Sequence, residues 1–398
     1  MNILLDFLTV RWKNGGGEWT RRVYFEMFRH VAEQGLNDIH FFALYDSVGG
    51  VAYEDMREEV LGQQVPITYV DITGRTIPDI VAQYRIGRFF IAMSQVLGNY
   101  RDINLADVKC EVFCVTHDGC NEEIFYNSLD YYYRFIDPRY QRASFLRNVA
   151  WLFLARYSTS LTRRLESMQR IMAMVHNNPQ VRLIAVSDYT KRSLQYNFCI
   201  PESNIQVLWS PERVYAEAKE EIENPVLREL IQSGKKYYLL LHAHRVQKNP
   251  HKVVKAFEKF AKLQSSDVTL LALKYQESCS SHVVSIPWLS DSDLANAYKH
   301  CFALIYPSFF EGFGYPPLEA MHYGKPVLCS YSTSMPDIFE DAPVYFCPLY
   351  ETAIFEALLK LTDENHSLYA QRSIKQYKKV AERQKADLET LVKQVLKQ

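Results

Sequence analysis

The sequence is chemically most distinctive over residues 308–321, which follow an apolar run that predicts a buried strand. Glu311 and Glu319 stand there on either side of a loop that contains Gly312 and Gly314. A helix that begins after such a loop presents backbone N–H groups that bind anions such as a diphosphate. Because a carboxylate repels a diphosphate, we expect the two glutamates to accept hydrogen bonds from sugar hydroxyls. Either glutamate alone would also suit an ordinary capped helix, but the whole string favours a nucleotide-sugar site.

A second group of polar residues, 242–249, follows another predicted strand and has the sequence HAHRVQKN. Its cations, Arg245 and Lys248, are either two solvated charges on a loop or part of an anion site. His242 and His244 are zinc ligands by residue type, but no third and fourth ligand stands at a suitable spacing. We therefore expect no metal ion at this loop.

The string over 308–321 resembles the Glu-x7-Glu motif of the retaining glycosyltransferases of family four, which have the GT-B fold. It is similar to the mannosyltransferase-like type of that family found in bacterial glycan synthesis. Further segments resemble the family pattern in order along the chain: 185–191, 286–294, 324–327, 334–337 and 341–343. The resemblance is strong over residues 183–348 and weak over the first 110 residues and over 121–180.

The resemblance implies roles for the charged residues of both motifs. Glu319 would hold the nucleotide ribose, and Glu311 would contact the transferred sugar. Lys248 would neutralise the departing diphosphate, which is electrostatic catalysis of leaving-group charge. The family's arginine usually stands at the place of Ala243 in this chain, so Arg245 is a displaced candidate for the same role.

The first half of the chain adds further candidates. His117 belongs to the segment VTHDG, which is similar to a His-Asp element of the family and would contact the donor sugar; a histidine satisfied at a strand end is the alternative. Gly16 and Gly17 allow close approach of a phosphate or an acceptor, although Thr20 takes the place of the third glycine of a dinucleotide fingerprint. The predicted donor-binding residues are Gly16, Gly17, Trp288, Leu289, Gly312, Phe313, Gly314, Leu318 and Glu319.

Together these residues predict a nucleotide-sugar-dependent hexosyltransferase that uses neither a cofactor nor a metal ion, and the resemblance implies that it is retaining and uses a GDP- or UDP-linked sugar. The expected acceptor is a glycan or a lipid-linked glycan of polysaccharide or glycoconjugate biosynthesis. The alternatives are a nucleotide-sugar epimerase, a glycan phosphorylase on the same fold, and a non-catalytic subunit that binds sugar nucleotides. The sequence does not identify the base, the sugar, the linkage or the oligomeric state.

Alternating strands and helices surround the motifs. This alternation predicts an α/β fold with doubly wound parallel sheets in two Rossmann-like domains. The resemblance implies the GT-B type of this fold, in which the two domains face a central cleft. We expect a first strand at 2–8, then a glycine loop, then a helix from Trp19 to Gln34. The predicted parts are an N-terminal acceptor domain over 1–210, a linker over 211–235, a nucleotide-sugar-binding domain over 236–372, and a last helix over 373–398 that can pack back on the first domain.

Composition limits the function further. The 398 residues carry 45 Lys and Arg against 46 Asp and Glu, so the chain lacks the basic field of a nucleic-acid-binding protein. Its apolar runs are too short to span a bilayer and its eight cysteines include no Cys-x-x-Cys pair, so we expect a cytoplasmic enzyme with reduced thiols.

Residues 131–170 are an exception to this neutral balance, because they contain eight arginines and only two acidic residues, Asp137 and Glu166. The same segment contains nine aromatic residues. Cations and aromatics in one segment suit anionic lipid headgroups or a lipid-linked acceptor. We therefore predict peripheral contact with the inner face of the membrane through this segment. The alternative is a pair of ordinary helices whose aromatic side chains fill the core of the first domain.

Overall fold

A computed structural model describes residues 1–10, 15–47, 65–94, 105–118, 172–173, 178–264, 267–276 and 280–397. They form two compact units. The first contains the described residues up to Arg213 together with 383–397, and the second contains those of Val214–Glu382. The arginine-rich segment 131–170 lies outside the described residues.

The first unit is built on a parallel sheet. Its strands are β1 (Asn2–Asp6), β2 (His40–Tyr45), β3 (Ile67–Asp71), β4 (Arg88–Ile91), β5 (Glu111–Thr116), β6 (Val181–Ala185) and β7 (Ile205–Val207), in the order β3-β2-β1-β4-β5-β6-β7. Its described helices include α1 (Gly15–Gln34), α2 (Ile77–Gln83) and α3 (Asp188–Phe198). Buried clusters cover both faces of the sheet, which is why its strands are continuous apolar runs rather than alternating ones.

The second unit has the same kind of architecture. Its strands are β8 (Lys236–Leu240), β9 (Val268–Leu273), β10 (Val283–Ile286), β11 (Ala303–Tyr306), β12 (Val327–Ser330) and β13 (Val344–Phe346), in the order β10-β9-β8-β11-β12-β13. Its described α-helices are α4 (Pro225–Gln232), α5 (Pro250–Leu263), α6 (Asp291–His300), α7 (Tyr315–His322), α8 (Met335–Phe339), α9 (Glu351–Lys360) and α10 (Asp363–Leu396), of which the part from Arg383 onward belongs to the first unit. Within the described residues, no helix is both long and apolar enough to cross a membrane.

Several boundaries differ from the expected ones. The glycine run that includes Gly16 and Gly17 forms the first turn of α1, not a loop before the helix. The predicted linker contains α4, because Asn224 accepts a hydrogen bond from the Leu227 N–H at 3.1 Å and Pro225 occupies the first turn. The last helix, α10, begins earlier in the chain than the predicted start at residue 373.

Strand β4 is difficult to recognise from a run of apolar residues, because it is short and begins with Arg88, a charged residue. The Arg88 side chain is 8% exposed and pairs with Glu111 at 2.9 Å. Its guanidinium also donates to the Val395 carbonyl at 2.8 Å, near the end of α10. A buried charge is tolerated when it is paired and hydrogen-bonded, and its partners here lie on other elements of the first unit.

Candidate active site

Both sequence motifs lie at the carboxyl edge of the second sheet, beside the point where its strand order reverses. Residues 242–249 follow β8 and residues 308–321 follow β11, and these two strands are neighbours in the sheet. In doubly wound sheets the loops at such a reversal point frame a ligand crevice. The Phe309 N–H donates to the Gln247 carbonyl at 2.9 Å, so the two loops are also tied to each other.

Lys248 and Glu311 form an ion pair between these loops, with side chains 8% and 17% exposed. The Lys248 ammonium also donates to the Tyr306 hydroxyl at 2.8 Å. The Ser308 hydroxyl donates to the same Glu311 oxygen, Oε1, that pairs with the lysine. The Glu311 N–H donates to Thr333 Oγ1 at 3.0 Å, which fixes the backbone of the loop. Because an ammonium has three N–H donors, Lys248 keeps capacity for an incoming phosphate.

Two groups beside this ion pair, the Tyr306 hydroxyl and the Cys329 thiol, are uncharged. Burial raises the pKa of the Tyr306 hydroxyl well above its ordinary value, and the neighbouring Glu311 raises it further. Burial likewise raises the pKa of the Cys329 thiol on β12. Both residues are therefore protonated at physiological pH, and Glu311 supplies the negative charge that faces Lys248.

Arg245 lies exposed on the loop formed by residues 242–249. Ala243, at the usual place of the family's arginine, is 4% exposed, and its N–H donates to the Leu273 carbonyl at 2.9 Å. Of these two positions, the one that faces solvent is Arg245, where a diphosphate could reach it. Burial lowers the pKa of the adjacent His244, and Arg245 and Lys274 lower it further. This neighbourhood is therefore electropositive even though His244 is neutral.

A metal site is not formed by the described residues, among which no three His, Cys, Asp or Glu side chains cluster. The chain has one Asp-x-Asp string, at 291–293, a pattern that can bind a divalent cation through carboxylates. Here it starts α6: Ser290 Oγ accepts from the Asp293 N–H at 3.2 Å. The Asp293 carboxylate accepts from the N–H groups of Glu223 and Asn224 at 3.0 and 2.8 Å, and Asp293 is 1% exposed. Asp293 therefore has a structural role.

Glu319 lies in the second turn of α7, because this helix begins at Tyr315. The N–H groups of the helix start therefore do not explain its burial. It is 8% exposed, and its Oε2 accepts a hydrogen bond from the Tyr298 hydroxyl at 2.5 Å.

The conformation of the glycine loop before α7 restricts which residue can stand at position 314. Gly314 has a φ of +92°, and a Cβ at this position would lie 2.5 Å from Met335 Cε. Only glycine fits such a position. Phe313 and Leu318 turn their side chains into the core, where they are 4% and 0% exposed, whereas Gly312 is partly exposed. Phe313 and Leu318 could therefore meet a donor only through backbone atoms in this structure.

Trp288 and Leu289 follow β10, at the same edge of the second sheet. Trp288 is 65% exposed, so its indole face is available for stacking against a nucleobase. Leu289 is 8% exposed and packs inward. Of this predicted pair, the tryptophan is the residue whose side chain can reach a ligand from solvent.

In the first unit, the predicted residues lie at the carboxyl edges of β1 and β5. His117 Nε2 donates to the Ala92 carbonyl at 3.0 Å, and its ring meets the Trp19 ring edge-on with centroids 4.8 Å apart. Burial lowers the pKa of His117 to about 4, so its imidazole is neutral at physiological pH. Gly16 and Gly17 stand in the first turn of α1.

Replacing His117 by glutamine is expected to remove a pH-dependent part of the stability of the protein. The folded pKa of about 4 lies below the ordinary value of 6.5, so between these values the unfolded chain binds a proton that the folded chain does not. The contribution is fully present above pH 6.5 and is lost as the pH falls towards 4, by about 2 kcal/mol at pH 5. Urea titrations at pH 7 and pH 5 measure it, with the exposed His40→Gln as control. Equal pH dependence in wild type and His117→Gln would contradict it.

Three residues of this site were not singled out from the sequence. Tyr306 and Ser308 stand immediately before the glutamate motif, so their position in the chain was a usable signal. Tyr298 lies on α6, and its contact with Glu319 spans 21 residues. A buried tyrosine on a helix is typical of an ordinary core position, so no local signal reveals that contact.

Residues 225–380, which contain both motifs, match the family of glycosyl transferases group 1. This match overlaps the part of the chain over which the resemblance to family four is strong. The fold is also similar to that of solved glycosyltransferases over the whole chain. The structure of HepE of Anabaena in complex with UDP matches with a TM-score of 0.63 at 12% identity, covering 100% of this chain and 98% of that chain. The structure of WaaG, a glycosyltransferase involved in lipopolysaccharide biosynthesis, matches with a TM-score of 0.57 at 13% identity, covering 98% and 99%. The predicted GT-B fold class, with two Rossmann-like doubly wound α/β units, is thereby confirmed.

The similar sequences of known function are mannosyltransferases. O-antigen chain mannosyltransferase B of Escherichia coli is 42% identical over 73 residues, which are 18% of this chain and 19% of that protein. The serotype-specific mannosyltransferase WbdA of Escherichia coli is 39% identical over 107 residues, which are 26% of this chain and 13% of that protein. O-antigen chain mannosyltransferase RfbU of Salmonella typhimurium is 30% identical over 112 residues, which are 25% of this chain and 32% of that protein. The chain thus spans less than a third of the length of each of these relatives.

Proposed function

We propose that this protein is a retaining hexosyltransferase that moves a hexose from a nucleoside-diphosphate sugar to a glycan or lipid-linked glycan in polysaccharide or glycoconjugate biosynthesis. The observation that carries the proposal is the Lys248–Glu311 ion pair between two loops at the reversal point of the second sheet, with Glu319 on the helix that follows. The mannosyl transfer named for the three relatives supports a mannosyl donor, with GDP-mannose as the first candidate.

In this proposal each charged residue contacts a different part of the donor. Glu319 accepts hydrogen bonds from ribose hydroxyls, and Glu311 accepts them from the transferred sugar. Lys248 and Arg245 meet the negative charge that grows on the diphosphate as its bond to the anomeric carbon breaks. Lys248 is already oriented by Tyr306 and Glu311, so little reorganisation is needed when the charge develops.

The transfer requires no protein nucleophile. The bond between the anomeric carbon and the diphosphate oxygen breaks while a bond to the acceptor hydroxyl oxygen forms on the same face of the sugar. The acceptor proton passes to an oxygen of the leaving phosphate, so that the charge on the leaving group is partly neutralised. The anomeric configuration is kept, and the products are a nucleoside diphosphate and a glycan longer by one sugar.

Two measurements test the proposal. A site-specific donor at 100 times its dissociation constant should stabilise the fold by roughly 2.7 kcal/mol, so thermal shifts with a panel of GDP- and UDP-sugars should single out one donor. With that donor and a glycan acceptor, NMR should show an elongated product that has the anomeric configuration of the donor. An inverted product would refute retention. Epimerised donor, or glycan breakdown that depends on phosphate, would favour the other enzymes, and binding without turnover would favour a non-catalytic subunit.

Activity is expected to survive an excess of EDTA. The reason is that Lys248 and Arg245 supply positive charge for the diphosphate and that the one Asp-x-Asp string is bonded to backbone N–H groups. Initial rates with and without EDTA, after desalting, measure this. Complete loss of activity with EDTA, followed by rescue with manganese, would show that a divalent cation carries the leaving-group charge instead.

We also propose that the protein works at the cytoplasmic face of a membrane, where residues 131–170 contact anionic lipid or a lipid-linked acceptor. Each basic residue near an anionic surface contributes about 1 kcal/mol, so a few of the eight arginines suffice for attachment that depends on salt. Co-sedimentation should show binding to anionic but not zwitterionic vesicles, weakened by Arg163→Glu with Arg164→Glu. No binding to anionic vesicles at low salt would indicate an acceptor that is not membrane-bound.

A further inference from the structure

The buried contact between Tyr298 and Glu319 joins two helices of the second unit. The Tyr298 hydroxyl donates to Glu319 Oε2 at 2.5 Å, and the two residues are 2% and 8% exposed. Tyr298 lies near the end of α6, and Glu319 lies in the second turn of α7. A carboxylate removed from water requires hydrogen-bond donors, and this hydroxyl is one that the fold supplies.

Tyr298 is itself held in place from several sides. Its ring stacks on that of Tyr323 with centroids 5.9 Å apart and an interplanar angle of 13°. The Tyr323 hydroxyl donates to the Ala216 carbonyl at 2.9 Å, which fixes the stacking partner in turn. The thiol of Cys301 donates to the Tyr298 carbonyl at 3.2 Å. The hydroxyl of Tyr298 is therefore presented to the carboxylate by a rigid support.

We propose that Tyr298 is a positioning residue for nucleotide binding: it fixes the orientation in which the Glu319 carboxylate receives the ribose hydroxyls. This inference rests on the role of Glu319 in the proposed function. A carboxylate has about four acceptor positions, so the bond from Tyr298 leaves capacity for a ribose. Without that bond, the carboxylate can rotate into orientations that do not match the ribose, and part of the binding free energy is spent on ordering it.

Tyr237 offers a control, because its buried hydroxyl also forms a hydrogen bond that involves α6. Its ring is 1% exposed, and its hydroxyl donates at 2.8 Å to the carbonyl of Ala297, the residue next to Tyr298. Removing either hydroxyl takes one buried hydrogen bond from the packing of α6. Only removal of the Tyr298 hydroxyl also takes a partner from Glu319.

The experiment compares wild type, Tyr298→Phe, Tyr237→Phe and Glu319→Gln. Affinity for GDP and for UDP is measured by calorimetry, and the free energy of unfolding is measured in urea. For the nucleotide that wild type binds, we expect Tyr298→Phe to weaken binding by roughly 5- to 20-fold and Tyr237→Phe by less than about twofold, while both variants lose stability and Tyr298→Phe loses more because its acceptor is charged. The Michaelis constant for the donor should rise in Tyr298→Phe while turnover changes little.

A double variant separates positioning from general packing. If Tyr298 acts through Glu319, Tyr298→Phe with Glu319→Gln should bind the nucleotide no more weakly than Glu319→Gln alone. Unchanged affinity in Tyr298→Phe, or equal weakening by the two phenylalanine variants, would overturn the positioning role while the proposed function stands. Unchanged affinity in Glu319→Gln would instead refute the ribose assignment, and failure of wild type to bind either nucleotide would refute the proposed function itself.

Discussion

Replacing Lys248 by alanine is expected to lower the turnover of hexosyl transfer by about 10²–10³-fold, the usual effect of removing one preorganised group that stabilises transition-state charge. The ammonium is nearly buried, is fixed between Tyr306 and Glu311, and stands on the loop next to the sugar-binding motif. Its charge is therefore worth more than that of a solvated lysine. Affinity for the donor should fall less than turnover, because the leaving-group charge is larger in the transition state than in the bound donor.

Folding must be checked separately, because the same variant leaves the half-buried carboxylate of Glu311 without its ion-pair partner. A loss of roughly 1–3 kcal/mol in the free energy of unfolding is expected from that desolvated group. Lys255→Ala is the matched control: this lysine lies on the neighbouring helix α5 with its side chain 63% exposed, 3.6 Å from Glu351. A turnover of Lys248→Ala near that of Lys255→Ala, in folded protein, would remove Lys248 from the catalytic machinery.

Glu319→Ala should weaken binding of the bare nucleoside diphosphate by roughly 1.5–3 kcal/mol, which is about a tenfold to hundredfold rise in the dissociation constant. The reason is that the carboxylate accepts hydrogen bonds from the ribose in the proposed function, and a bond to a charged acceptor is worth more than a neutral one. The intact donor should lose as much affinity as the bare nucleotide. Calorimetry with both ligands measures the two losses.

Glu340→Ala serves as the control for Glu319→Ala, because Glu340 is a surface glutamate, 45% exposed, paired with Lys379. Exposed pairs of this kind contribute little to stability, and no ligand role is assigned to Glu340. Equal affinity for the nucleotide in Glu319→Ala and Glu340→Ala would contradict the ribose assignment. A loss confined to the intact donor would instead move Glu319 from the ribose to the transferred sugar.

Local signals in the sequence were sufficient for most of the fold. Apolar runs of strand length coincide with β1, β2, β5, β8, β9, β11 and β12, since strands buried on both faces need apolar residues throughout. The start of α6 was also predictable, because Ser290 caps it within one turn of chain. The Asp293 carboxylate adds no local signal of this kind, because it accepts hydrogen bonds from the distant N–H groups of Glu223 and Asn224.

The sequence by itself determined which residues are chemically capable at this site: two glutamates around a glycine loop, and two cations after another strand. Only the tertiary structure decided which of these residues meet. Lys248 joins Glu311 across 63 residues, and Glu319 meets Tyr298, a residue with no motif of its own. The physical reason is the distance along the chain over which each kind of interaction acts. Periodicity, caps and glycine turns act within a few residues and are visible in any short window, whereas the partner of a buried charge is set by how strands and helices pack, which no short window contains.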